Sequence, residues 1–429
     1  MTANPDSEVS LAKFIGPGIL FAASAVGVSH LVQSTRAGAS YGFAMLIFAL
    51  LGLLAKYPAF LFAPSYAAAT GKSILSSYRN QGVFALVFFA ASTLVNMFTG
   101  ISANLLVTSG LVKATLGLSV GIVPICLCIC IVGGGLLIIG HYRWLDIVTK
   151  FLMMFLTLTT IVATFFALPL IDWDKSLVFF PAQFELATIL FIAALIGWMP
   201  TPFDVSVWQS QWVVANSRKN GYLPSQRQAR FDFNMGYLGI TVLAICFMIL
   251  GTAVMHGSGE SFASSPAGFA AQLIKLYENV LGPWSGFIIG VSAFAVMFST
   301  MLTILDGFPR STANLVMIIF HREESIDEGE VNESLRHTYY WITMLIMILG
   351  GLLILSVFLT RLKTFIDFGA TISFLSAPIF AFLNHRAMNS QEIKHEDRPS
   401  ARLYWWSIAG ISGLACFALT YLYLVVFVV

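Results

Sequence analysis

Along this chain, apolar runs of about twenty residues alternate with short polar stretches. A helix needs about 20 mostly apolar residues to cross the hydrocarbon core of a bilayer. Windows of that kind fall at 14–33, 41–69, 83–110, 119–140, 145–169, 187–214, 233–255, 282–319, 338–359, 364–384 and 403–427. The pattern predicts an all-α polytopic membrane protein of about eleven transmembrane helices. Some windows exceed the bilayer thickness, which tilt accommodates. Pro58 and Pro64 should kink the second span, because each removes a backbone donor. The longest polar stretches, 215–232, 256–281, 320–337 and 385–402, are too short for a soluble domain. Residues 1–429 therefore read as one transmembrane domain.

Two runs contain residues that make poor helix. The first reads GPGILFAASAVGVSHLVQ, with Gly16, Pro17 and Gly18 at its start and Gly27, Val28, Ser29 and His30 near its middle. The sixth reads ALIGWMPTPFDVSVWQ, with Pro200 and Pro202 flanking Thr201. Irregular backbone at membrane depth is tolerated only where it is buried in protein or lines a cavity. Breaks in the first and sixth spans occupy corresponding positions of two five-span halves. That is the pattern of an inverted-repeat transporter that binds its solute at the breaks. The repeats would cover about 14–169 and about 187–384, with an extra helix at about 403–427. The breaks are predicted to face each other at mid-membrane.

Composition agrees with a lipid-embedded chain. Hydrophobic residues make up 58% and charged residues 10%, against roughly 25% charged in soluble domains. The net charge of +2 gives no basic surface for nucleic acid. Cys126, Cys128, Cys130, Cys246 and Cys416 all lie in apolar runs and read as packing residues. With the N-terminus inside, 15 Lys and Arg fall in inner segments against 6 outside, as the positive-inside rule requires. Met1 to Leu11 lacks the features of a cleaved signal, so the N-terminus is expected in the cytoplasm and the protein in the plasma (inner) membrane. The acidic run at 321–333 reads as a solvated loop. Phosphate-loop, paired-histidine and Gly-x-Ser-x-Gly motifs are absent from the sequence, which leaves no support for ATP-driven pumping, enzymatic hydrolysis or a bound cofactor.

Further residues carry candidate chemistry. His30, at the first break, has an imidazole suited to a transition metal or a proton; it could equally bond the unwound backbone. Asp204 follows the second break by two residues, as a cation ligand or as a cap on the following half-helix. Asp306 and Arg310 stand four apart on one helix face, the spacing of an ion pair. Lys56 lies mid-way along the second span. An intramembrane ammonium is costly, so it is expected within reach of Asp204 or Asp306, or in a hydrated cavity. It could also stand where other transporters bind a coupling cation. Trp198, Trp208 and Trp212 read as packing or interfacial residues. Asn96, Asn104 and Gln209 could line a polar path.

Gly16-Pro17, Ala37-Gly38-Ala39-Ser40-Tyr41-Gly42, Thr70-Gly71, the run Gly140 to Leu145 with Lys150, and Met199-Pro200 together resemble the natural resistance-associated macrophage protein (Nramp) family of divalent-metal transporters. The resemblance implies the leucine-transporter type of fold and secondary transport of a metal ion. The family's Asp-Pro-Gly-Asn falls on Gly27, Val28, Ser29 and His30, so Gly27 stands where its metal-binding Asp would be. The His of its Met-Pro-His becomes Thr201, and its acidic pair in span 3 is replaced near Ser92 and Asn96. Of the family's metal site, Met199 and the backbone carbonyls at the breaks remain. The expected substrate-binding set is Gly27, Ser29, His30, Met199, Thr201 and Asp204, with His30, Met199 and Asp204 as metal ligands. Proton coupling is possible through such groups, and the bilayer is the only other partner implied. A transporter of the same fold for an uncharged or zwitterionic organic solute is the alternative. A membrane sensor that kept the scaffold is a third.

Overall fold

The computed structural model describes residues 16–427, apart from 140–141, 179, 182, 259–261, 321–329 and 359–360. A helix lies in each of the eleven predicted windows. We number them by window. Span 1 is helix 1a (Pro17–Ala25) followed, across Val26–Val28, by helix 1b, which winds as a π-helix over Ser29–Ser34 and continues as Thr35–Tyr41. Helices 2 (Leu46–Thr70), 3 (Val83–Leu116), 4 (Ile122–Ile139) and 5 (Tyr142–Ala167) follow. Span 6 is helix 6a (Leu186–Trp198) and helix 6b (Asp204–Asn220). Helices 7 (Gln226–Met255), 8 (Ser285–Phe320), 9 (Glu330–Phe358), 10 (Leu362–Met388) and 11 (Ala401–Phe427) complete the set. Among the described residues seven helical runs are long and apolar enough to cross a membrane, and shorter apolar helices occupy Ile122–Ile138, Met154–Leu170 and Leu186–Trp198. One of the seven, Ser29–Thr70, is divided at Gly42, whose φ of 57° a residue without a Cβ adopts at no steric cost.

The bundle is apolar outside and polar within. Leu345, Leu349 and Leu353 of helix 9 and Leu419 and Val426 of helix 11 are exposed, whereas His30, Gln33, Lys56, Asn96, Asp204 and Gln209 are buried. Lipid, unlike water, asks for that arrangement. Helix 8 is the axis: 78% of its most apolar stretch is buried, against 17% for helix 11 at the rim. It packs on helix 3, helix 9 and helix 1a, while helix 7 packs along both halves of span 1 and helix 10 against 6a.

Helix 2 runs through Pro58 and Pro64 as one helix. Pro58 cannot donate to Leu54, and the Leu54 carbonyl instead accepts from Trp406 Nε1 of helix 11 at 2.9 Å. One turn on, Ala59 O accepts from Asn384 Nδ2 at 2.9 Å. At Pro58 a neighbouring helix thus supplies the donor that the proline removes. The polar stretch 256–281 holds an amphipathic helix, Pro266–Leu281, capped by Ser265 Oγ on the Gly268 amide at 3.2 Å. Gly140 and His141 of the resemblance, the residues before Gly16 and the acids at 321–329 lie outside the described residues.

Candidate functional site

Both breaks fall where the glycine and proline signals put them, and each exposes helix-end carbonyls that a bilayer cannot satisfy. At the end of 1a the donors are uncharged. Thr300 Oγ1, from helix 8, lies 2.8 Å from Ala23 O and 3.2 Å from Val26 O. Ser29 Oγ donates to Ala25 O at 2.6 Å. His30 is fully buried, with Nδ1 2.8 Å from Ala25 O and Nε2 3.0 Å from Ile240 O of helix 7. Its imidazole is directed at backbone.

At the end of 6a the donor is a charge. Lys56 Nζ donates to Ile196 O at 2.6 Å and to Gly197 O at 2.8 Å, and stands 5.4 Å from the centre of the Phe203 ring. The expected ion pair of Lys56 with Asp204 or Asp306 does not form among the described residues; the ammonium meets backbone carbonyls instead. The last carbonyls of 6a form the negative end of a helix dipole, and they hold the ammonium. The other free end of span 1 is treated in mirror fashion. Asp232 of helix 7 accepts from the Gly16 amide at 3.0 Å and the Gly18 amide at 2.6 Å, placing a carboxylate on the positive end of 1a.

Between the breaks lies a cavity of about 60 Å³, walled also by helices 3 and 8. Gly27, Ser29, Thr201 and Asp204 line it, with Asn96, Asn104, Trp208 and Thr300. His30 and Met199 do not: the structure brings four of the six expected site residues together and leaves these two packed behind the break. Asp204 opens helix 6b, but Phe203 is its N-cap and no side-chain cap bond forms. The carboxylate is fully buried. Its Oδ1 is 3.5 Å from Asn96 Nδ2, and its Oδ2 finds no hydrogen-bond partner among the described residues. Asn96 Oδ1 in turn accepts from Ser373 Oγ at 2.9 Å, and Ser373 from Trp198 Nε1 at 3.0 Å. This relay ties the two halves of span 6 to helices 3 and 10. Asn104 Nδ2 and Trp208 Nε1 also lack partners among the described residues.

Thr300 is the site residue that the sequence reading missed. A Cβ built on Gly27 would come 2.9 Å from its Cγ2, so the threonine fills the space a side chain at position 27 would take. Its signal was faint: Thr300 and Thr303 are two polar positions three apart in an apolar run. Asp306 and Arg310 form the expected ion pair, at 2.6 Å and 3.0 Å, with Tyr340 Oη donating to Asp306 Oδ1 at 3.2 Å. They lie beyond the cavity, in a vestibule of about 710 Å³ that Trp212 and His337 also line. On the opposite side of the breaks, Arg36 of 1b and Asp367 of helix 10 form a two-armed bridge at 2.6 Å and 2.9 Å.

Among the described residues no three His, Cys, Asp or Glu side chains come together as a metal cluster. A metal ion would find one carboxylate, Asp204, with amide, hydroxyl and carbonyl oxygens around it.

A helical bundle interrupted at its first and sixth spans around a small central cavity is the architecture of a secondary transporter of the leucine-transporter type. The family model described as natural resistance-associated macrophage protein-like matches residues 18–425, and the chain belongs to that family. A protein of Pasteurella multocida (strain Pm70), described as uncharacterized protein PM0681, is 33% identical over 417 residues, covering 95% of this chain and 91% of its own. A mutant manganese transporter of Eremococcus coleocola superposes with a TM-score of 0.71 at 13% identity, over 98% of this chain and 88% of that one. MhsT in complex with L-phenylalanine superposes at 0.60 with 16% identity, over 96% and 98%. At these identities the structural likenesses establish the fold.

Proposed function

We propose that this protein is a secondary active transporter that carries a metal cation through the cavity at the two breaks, with Asp204 as the carboxylate that receives it. One observation carries the reading: a fully buried carboxylate at the start of 6b lines the cavity with one oxygen unpartnered among the described residues. A carboxylate at membrane depth needs a cation or a proton, and a central break is where this fold binds cargo. Asp204 then replaces the acid that Gly27 lacks. Ser29, Thr201, Asn96 and Asn104 supply neutral oxygens, while His30 and Met199 are scaffold. The same carboxylate is the group through which proton coupling would run. The manganese transporter among the structural neighbours supports metal as the cargo class.

In this reading eleven spans cross the plasma membrane, the repeats run about 14–169 and 187–384, and the N-terminus is cytoplasmic. The vestibule beside Asp306 then faces the cytoplasm, and the Arg36–Asp367 bridge closes the outer side. A small organic amine is the second reading. Asn104 Nδ2 and Trp208 Nε1 are donors on the cavity wall, and a cargo with both an amine and an acceptor would meet them. MhsT, with its bound L-phenylalanine, has a related fold. Uptake by proteoliposomes of the purified protein, across a panel of divalent cations and amino acids, separates the two. Saturable cation uptake that needs Asp204 supports the first, and uptake of amino acids alone supports the second.

A further inference from the structure

The cargo cavity and the vestibule share no lining residue, yet little stands between them. On 1a, Leu20 lines the vestibule and Ser24 the cavity; on 6b, Trp208 lines the cavity and Trp212 the vestibule. Both pairs are four apart, about one helix turn, or about 5.4 Å along the axis. On helix 8 the two sets of lining residues run down adjoining faces, with Phe308 on the cavity and Arg310 on the vestibule. A partition about one turn thick therefore divides the two spaces.

Trp208 supplies the bulk of that partition. It is buried, and its ring meets a lining residue of each space. Edge to face, it packs on Phe308 of the cavity wall, with ring centres 4.6 Å apart and planes at 84°. Toward the vestibule it packs on Trp212, at 6.2 Å and 69°. Its seat on helix 8 is Gly307. A Cβ built there would fall inside contact distance of indole Cδ2, Cε3 and Cε2, so the indole lies against bare backbone, an approach that glycine permits. The ring's one polar atom, Nε1, is buried and has no partner among the described residues. Lifting the indole off helix 8 thus breaks apolar contacts and no hydrogen bond among those residues. Aromatic pairs of this kind are weak enough to part and re-form in a transport cycle.

We propose that Trp208 is the gate between the cargo cavity and the vestibule, and that cargo passes when 6b carries the indole off Gly307. The proposal rests on the reading that the cavity is the cargo site. Asp204 and Trp208 are four apart on 6b, so they share one face of that helix. The element that holds the cargo carboxylate also holds the gate, and a shift of 6b moves both at once.

The test reads passage through the partition without using cargo, so its outcome is independent of whether the protein carries a cation. Ile304→Cys, on the cavity wall, is the reporter, and Ala215→Cys, exposed on the vestibule wall, is the control. Both are made in the full chain with Cys128→Ser and Cys416→Ser, which removes the exposed native thiols among the described residues. A charged, membrane-impermeant methanethiosulfonate is added from the vestibule side of sealed vesicles. The reporter should react slowly when Trp208 is present and about tenfold faster or more with Trp208→Ala, because the rate follows the fraction of open gate. The control should react alike in both. Trp208→Phe keeps a ring on Gly307 and should stay near the wild-type rate. Gly307→Ala should raise the rate by displacing the indole, which keeps the test if Trp208→Ala does not fold. It should add nothing to Trp208→Ala, because it acts through the ring. A reporter rate that neither Trp208→Ala nor Gly307→Ala changes, with the control thiol reacting in full, would overturn the proposal. So would a double variant in which Gly307→Ala raises the rate further.

Discussion

The break in span 1 and the break in span 6 pose the same problem and are solved by different chemistry. Each leaves carbonyls at the end of a half-helix in a place without water. Around 1a they are met by Thr300, Ser29 and His30, whose donors are hydroxyls and a ring nitrogen. Around 6a they are met by the ammonium of Lys56, and 6b opens six residues after Trp198 with the carboxylate of Asp204. Span 1 is thus electrically quiet, while span 6 holds a fixed positive charge behind the break and a negative one at its mouth. Nothing in the fold requires this division. In the proposed reading, cargo charge is met on span 6, where Asp204 takes the place of the acid that Gly27 lacks.

The sharpest way to break this contrast is Lys56→Met. The ammonium makes two charge-assisted bonds to carbonyls that have no other donor among the described residues, and their loss should lower stability by about 3–5 kcal/mol. Chemical unfolding or a thermal scan in detergent would read it. A variant as stable as wild type would show that the end of 6a does not depend on the charge.

Gly27→Asp tests the quiet side. A Cβ there meets Thr300 Cγ2 at 2.9 Å, so the single variant should lose about 1–3 kcal/mol through overpacking. Adding Thr300→Ala opens the space, and the double variant should bind manganese more tightly than wild type by calorimetry. Tighter binding in the single variant alone, with no loss of stability, would mean that Thr300 does not guard the position.

Thr300→Val keeps the volume and removes the hydroxyl. It leaves carbonyls of 1a without a donor and should cost about 1–2 kcal/mol. Ser29→Ala should cost less, about 0.5–1 kcal/mol, since His30 Nδ1 still faces the same Ala25 carbonyl. Both shifts are readable in unfolding midpoints. A Thr300→Val loss as large as that of Lys56→Met would erase the distinction between the two breaks.

The windows were legible because bilayer thickness fixes how long an apolar run must be, and the breaks because glycine and proline advertise themselves. The helix at Pro266–Leu281 was not, since its apolar residues cover one face and never form a run. Which residues answer the broken backbone was also hidden. A carbonyl acceptor has no side-chain signature, so Lys56 invited a search for an acid, and its partners are Ile196 and Gly197. His30 was drawn to the site by its place at the break and in the family motif, yet its ring nitrogens meet the Ala25 carbonyl and the Ile240 carbonyl of helix 7. Asp204 was found because a carboxylate in an apolar run has few uses.

Uptake into proteoliposomes by wild type and by Asp204→Asn, measured for a manganese-to-magnesium panel of divalent cations, tests the central claim most directly. The asparagine keeps the shape and the contact with Asn96 but removes the charge. The account predicts saturable cation uptake by wild type that falls to background in Asp204→Asn, with the folded population unchanged by gel filtration. Undiminished cation uptake by Asp204→Asn would contradict it.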